Sequence, residues 1–174
     1  MNSETPANNN PISRPEPNQP NWKDLDLPCV RTVPQHSQPT PNMIQTLPSH
    51  NDAYNHMVQT VLGGNQTLTI ATNVCQVTLI DTLMNHIVEK RPDARERYAE
   101  FVIPALTNPF EIWETKYDDG TSRYAFIGLF DTNYHVVVIV HISENGNLFW
   151  NLITKSKTKD LNKQRKGILL HKCY

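Results

Sequence analysis

Three groups of side chains have the types and spacing to do chemistry. The first is His86 with Lys90 and Arg91, an H-x-x-x-K-R stretch. The second is the run KSKTKDLNKQRKG, residues 155–167, followed by Lys172. The third is the pair His135 and His141, six positions apart. Histidine can accept or donate a proton near neutral pH because its unperturbed pKa is about 6.5. Lysine and arginine supply positive charge, and arginine can grip two phosphate oxygens at once. Residues 151–174 carry seven Lys/Arg (Lys155, Lys157, Lys159, Lys163, Arg165, Lys166, Lys172) against one acid, Asp160, whereas residues 61–150 carry six basic and eleven acidic residues. Such a basic run is either a solvated surface or a contact surface for a polyanion. His135 and His141 fall on one face of a regular strand. No carboxylate or cysteine with ligand spacing accompanies them, so they are expected to face solvent rather than hold a metal.

The bulk numbers narrow the classes. The chain has 174 residues and a net charge of −1, so global charge names no partner. Its three cysteines, Cys29, Cys75 and Cys173, lie far apart without a C-x-x-C pair. That spacing argues against a disulfide framework and a cysteine zinc site, and fits a reducing cytosol. No apolar run reaches the roughly 18 residues of a membrane span. The start MNSETPANNN lacks a basic and apolar signal. A cytoplasmic location is the expectation, although a protein exported by another route would look the same.

The elements that position these groups follow from periodicity. Asp118-Asp119-Gly120 and Asn145-Gly146-Asn147 are hairpin signals, because glycine takes the positive φ that a tight turn demands. They separate four β-rich runs: 111–116, 123–130, 134–142 and 148–154. The connections are too short for parallel crossovers, so the runs read as an antiparallel meander. Residues 168–170 read as a last short strand, and 155–167 as a loop or a single helical turn. Upstream, 51–62 reads as a helix stopped by Gly63-Gly64, and 67–71 alternates like a strand. A helix is expected over 78–91, with Leu79, Ile80, Leu83, Met84, Ile87 and Val88 on its apolar face and Pro92 closing it. His86 falls at the border of that face, partly covered, with Lys90 on the same side. A second helix is expected over 93–102, kinked or ended by Pro104. Residues 1–50 hold ten of the thirteen prolines with apolar residues scattered singly, and read as a disordered tail, with 22–30 as a candidate docking motif. The fold class is therefore α+β: N-terminal helices on a four- to five-stranded antiparallel sheet over residues 51–174, preceded by that tail.

The order HIVEKR, FVIPALTNPFEIWE, RYAFIGLF, HVVVIVHI, LFWNLITK, LNKQRKGILL resembles the phage-type nuclease domains of the barnase–EndoU–colicin–RelE-like (BECR) group. The pieces that carry the likeness best are LTNPFEIW, residues 106–113, and the LN-x-x-R-x-G-x-LL tail, residues 161–170. The likeness covers roughly residues 75–172. It implies helices on an antiparallel sheet and a metal-independent ribonuclease without cofactors. In such an enzyme the ribose 2′-hydroxyl attacks the adjacent phosphate, one group takes a proton, another gives one, and cations stabilise the charge.

The resemblance also implies roles residue by residue. His86 matches the histidine closing the family's N-terminal helix, as general acid or base. Arg91 is a phosphate contact or a salt bridge to the second helix, with Lys90 beside it for RNA. Arg123 stands where similar sequences carry a basic residue, either for RNA or for a cross-strand ion pair. Thr154 is a Ser/Thr near the scissile phosphate or an ordinary strand threonine. Arg165 is the second catalytic candidate, and Lys155, Lys163 and Lys166 would deliver RNA electrostatically. Glu111 and Trp113 are read as structural, and His171 is left unplaced. The implied partners are RNA, with tRNA as a candidate substrate, and for a toxin a small immunity protein. A fold-mate without chemistry, acting in a virion or as an adaptor, is the competing expectation. A DNA-acting nuclease is the weaker third, since no carboxylate metal cluster is visible in the sequence.

Overall fold

The computed structural model describes residues 12–174. Helix α1 spans His50–Leu62, and its ends have local causes. The Ser49 hydroxyl accepts the Asp52 N–H at 3.1 Å, and Gly63 closes the helix in the left-handed conformation at φ 60°. Strands β1 (Thr67–Ala71) and β2 (Gln76–Ile80) then form an antiparallel hairpin. Helix α2 follows directly, Asp81–Val88. The first three residues of the helix expected over 78–91, Thr78–Ile80, are thus strand. Val77 and Leu79 are buried at alternate positions, and pairing to two neighbours secures the extended form. Leu79 and Ile80 fit either period, and the tertiary pairing decides between them.

The second expected helix is also corrected. Residues Arg95–Phe101 wind as a 3₁₀ segment, and helix α3 runs Val102–Thr107. Pro104 falls in the first turn of α3, where no backbone donor is missed, so it does not end the helix. Strands β3 (Glu111–Lys116), β4 (Ser122–Gly128), β5 (His135–Ser143) and β6 (Gly146–Lys155) form the expected meander. A 3₁₀ segment, Thr158–Gln164, leads to β7, Ile168–Lys172.

Among the described residues the sheet has seven strands, in the order β1-β2-β6-β5-β4-β3-β7. It is larger than the four or five expected and not wholly antiparallel. β2 docks parallel to β6 through Val77 opposite Asn147 and Thr78 opposite Leu148. Both faces are covered. Helices α1 to α3 pack with Val136, Val138, Val140, Phe149 and Leu152 on one side. On the other, Val137, Ile139, Ala125, Ile127 and Trp113 meet Val30, Val33 and Leu161. Burial on both faces is why β5 reads as a continuous apolar run.

Val30 and Val33 belong to the proline-rich segment expected to be disordered. Residues 12–40 instead lie as an ordered strap along the second face, turning through 3₁₀ segments at Val30–Thr32 and Pro34–His36, and Met43–Leu47 pass to the helix side, where Met43 packs on the core and Leu47 N–H donates to Glu96; the part of that expectation covering 1–11 lies outside the described residues. Pro15 bridges Tyr117, Asn21 bridges Lys166 and Gln38 bridges Phe130. The strap's few apolar side chains suffice because a deep layer already exists beneath them. Its prolines also reduce the entropy lost on ordering.

Candidate functional site

The meander has one irregularity with consequences. Between β5 and β6 the register shifts: Ile139 faces Asn151 while Val140 faces Phe149. Trp150 is the extra residue of a β-bulge, a device that re-aims a side chain. Its indole lies 5.1 Å from the His141 ring and 6.0 Å from the His86 ring, centre to centre. His86 comes from α2, which runs beside the stretch of β6 beyond its last pair with β2, and His141 comes from the end of β5. On the next strand, Arg123 is the register partner of His141. Strand alternation puts Arg123, His141, Ile139 and Ala125 on the face opposite the helices. Four side chains from four elements therefore form one row: His86, Trp150, His141, Arg123.

The electrostatics of the row are specific. The Arg123 guanidinium sits 4.1 Å over the Tyr117 ring and 3.7 Å from Asp119. Hydrogen bonds from Thr121, then Ser13, hold Asp119 well below the usual carboxylate range, so that charge persists. His86 Nδ1 lies 3.3 Å from Glu89, one turn on, and both side chains are solvent-facing. His86 is thus more exposed than the border position implied. Among the described residues, Arg123 Nε and His141 Nδ1 are buried without a hydrogen-bond partner. Each such atom costs about 1–3 kcal/mol, so two on neighbouring strands are a local cost to stability at this end of the sheet.

The other expected site residues lie elsewhere. Arg165 is a correction: it is 0% exposed rather than on an RNA-facing loop. It donates to both oxygens of buried Glu111, at 2.6 and 2.8 Å, and to Pro28 C=O and Asn162 Oδ1 at 2.8 and 3.0 Å. Trp113 Nε1 and the Tyr174 hydroxyl complete the Glu111 shell at 2.9 and 2.6 Å. The structural reading of Glu111 and Trp113 therefore agrees with the geometry. Arg91 takes the salt-bridge alternative, donating to buried Glu96 at 3.0 Å and to Leu47 C=O at 2.7 Å. Thr154, opposite Val136 on β6, shares the helix-facing side with Leu152, about 13 Å along the strand from Trp150.

Lys90 is exposed just beyond α2, and half-buried Lys155 is the register partner of His135. Lys163 pairs with Asp160 at 3.6 Å, and both Lys163 and Lys166 line a shallow cleft with Trp22 and Lys23. His171, opposite Ile112 on β7, stands apart from the row. His135 is fully buried, not solvent-facing. Its Nδ1 accepts the Phe130 N–H at 3.1 Å, so the proton sits on Nε2, which donates to the Thr158 hydroxyl at 2.8 Å. Burial pushes its pKa down to about 4.

Of the expected residues, then, the row unites His86 and Arg123. Sequence reasoning missed that His141 and Trp150 join the row. One signal was legible: counting back equally from the turn after Phe130 pairs Arg123 with His141. The bulge had no sequence signal of its own. Among the described residues, no group of three or more His, Cys, Asp or Glu side chains could hold a metal ion. No helix there is long and apolar enough to cross a membrane. The row offers two imidazoles for proton transfer, a guanidinium whose charge can attract an anion, and an indole on which a planar ring can stack. A family model described as phage-Barnase-EndoU-ColicinE5/D-RelE like nuclease2 matches residues 58–172. No curated protein and no solved structure matches the chain.

Proposed function

The chain belongs to the phage-Barnase-EndoU-ColicinE5/D-RelE like nuclease family, and on that premise we propose that it is a metal-independent ribonuclease working at the row His86, Trp150, His141 and Arg123. The observation that carries this reading is the bulge that sets Trp150 between two histidines from different elements. In the reaction, the two imidazoles divide the proton work. One takes the proton of the attacking ribose 2′-hydroxyl, and the other gives a proton to the leaving 5′-oxygen. Arg123 stabilises the charge that builds on the phosphate through its guanidinium. Trp150 stacks a base next to the cleaved bond. Glu89 orients His86.

The test is RNA cleavage in EDTA by wild type, His86→Ala and His141→Ala. Products ending in 2′,3′-cyclic phosphates, lost in both variants while the fold persists, support the reading. Folded wild type that leaves total RNA and tRNA intact removes it. The family description, which joins colicins to barnase and RelE, supports a nuclease, and we propose in addition a toxin or effector role with tRNA as a substrate and a small immunity protein as partner. Expression in a susceptible cell, toxic for wild type and harmless for His86→Ala, tests that role. A binding module without chemistry is the second reading, favoured by the burial of Arg165 and the internal pairing of Arg91.

A further inference from the structure

At the far end of β5 from His141, the strap, the β4–β5 turn and the Thr158–Gln164 segment enclose an open cleft of about 1010 Å³. His135 begins β5 and His141 lies six residues on, so the cleft stands about 20 Å from the row. Arg31, Lys157 and Lys159 line it, and among the described residues none of the three makes a salt bridge. The one carboxylate in the lining, Asp131, is turned to the strap and accepts the Thr40 N–H and hydroxyl at 3.1 and 2.6 Å. Thr158 is held from behind by the buried His135 ring; because its oxygen accepts that N–H, its own proton is free to donate. Tyr134 stands exposed at the edge, a surface on which a base can stack.

We propose that this cleft is a second RNA subsite, holding consecutive phosphates and a base of single-stranded substrate several nucleotides from the cleaved bond. It rests on the ribonuclease reading for its substrate class. Three unpaired cations, a preset hydroxyl donor and an aromatic edge are the parts such a subsite needs. Arg31 comes from the strap, so the strap completes the binding surface as well as covering the core.

The test compares full-length wild type with Arg31→Ala/Lys157→Ala/Lys159→Ala. The binding probe is a labelled 2′-O-methyl RNA dodecamer, which lacks the attacking hydroxyl, followed by anisotropy across salt concentrations. The activity probe is a ribodinucleotide, too short to span both sites. The triple variant should bind the dodecamer at least about tenfold more weakly, with a salt slope smaller by about 2, as three lost phosphate contacts require. It should cleave the dinucleotide like wild type. The charge-keeping variant Arg31→Lys/Lys157→Arg/Lys159→Arg should bind like wild type, which separates charge from folding. Unchanged dodecamer binding in the triple variant overturns the subsite, whatever the cleavage result. So does a wild type that binds no RNA, and a protein partner then becomes the occupant. Wild type that binds through these cations but cleaves nothing keeps the subsite and removes the ribonuclease reading.

Discussion

The cluster around Arg165 and the row around Arg123 use the same materials and finish them differently. Each sets a guanidinium against a carboxylate and aromatic rings. In the first, every nitrogen of Arg165 donates, and both oxygens of Glu111 accept. A buried ion pair survives desolvation only when its geometry is this complete. Burial together with the bond to Glu111 pushes the Tyr174 phenol up, so it stays a donor. In the second, Arg123 reaches Asp119 across 3.7 Å and leaves Nε unpartnered, next to a histidine with its own unpartnered nitrogen. A guanidinium whose donors are spent cannot bind a phosphate. The difference teaches where to look for function: not at the most elaborate polar network, but at the one left incomplete.

That contrast is broken most directly by cutting the row. His86→Ala or His141→Ala should lower RNA cleavage by about 10²–10⁴-fold, the usual worth of a positioned acid or base. Because His86 is solvent-facing, its loss should leave the melting temperature nearly unchanged. Loss of activity through unfolding instead would erase the distinction between the two regions.

The converse substitution is Arg165→Ala. It strands Glu111 in a dry site and should destabilise the fold by about 3–5 kcal/mol. For a chain of this size that lowers the melting temperature by roughly 10 °C. Cleavage per folded molecule, measured well below the transition, should persist. Lysine should not rescue stability, since it cannot donate in a planar fork to both Glu111 oxygens.

Much of the scaffold for this contrast was legible from residue types. β3 matches its β-rich run residue for residue, β1 matches the alternation of TLTIA, and Gly63 stops α1. The rest depended on partners distant in sequence. Arg165 reads as one cation among several in a basic run until Glu111, fifty-four positions earlier, folds over it. The strap reads as disordered because its apolar residues are sparse, and only a finished sheet face gives Val30 and Val33 somewhere to bury. His86 was visible from its helix border, but Trp150 was hidden in an apolar run until the bulge turned it.

His135 separates the regions by pH. Its folded pKa of about 4 lies below the unfolded value near 6.5, so between those values the unfolded chain binds more protons. Stability should therefore be fully present above about pH 6.5 and fall as pH drops toward 4, by about 3 kcal/mol for this group. Urea titrations across that range should show a shallower slope in His135→Gln than in wild type. An equal slope would mean that other groups govern the acid limit.

The smallest effect tests the centre of the row. Trp150→Ala removes the surface between the histidines without removing either imidazole. If the indole stacks a base, binding of single-stranded RNA should weaken by about 1–3 kcal/mol, and Trp150→Phe should recover part of it. If Trp150 only spaces the rings, KM should hold while kcat falls, because the imidazoles would lose their alignment rather than the substrate its platform. Arg165 offers the control: its rings at Trp22 and Phe110 sit against a cation already committed, so Trp22→Phe should leave RNA binding as it was.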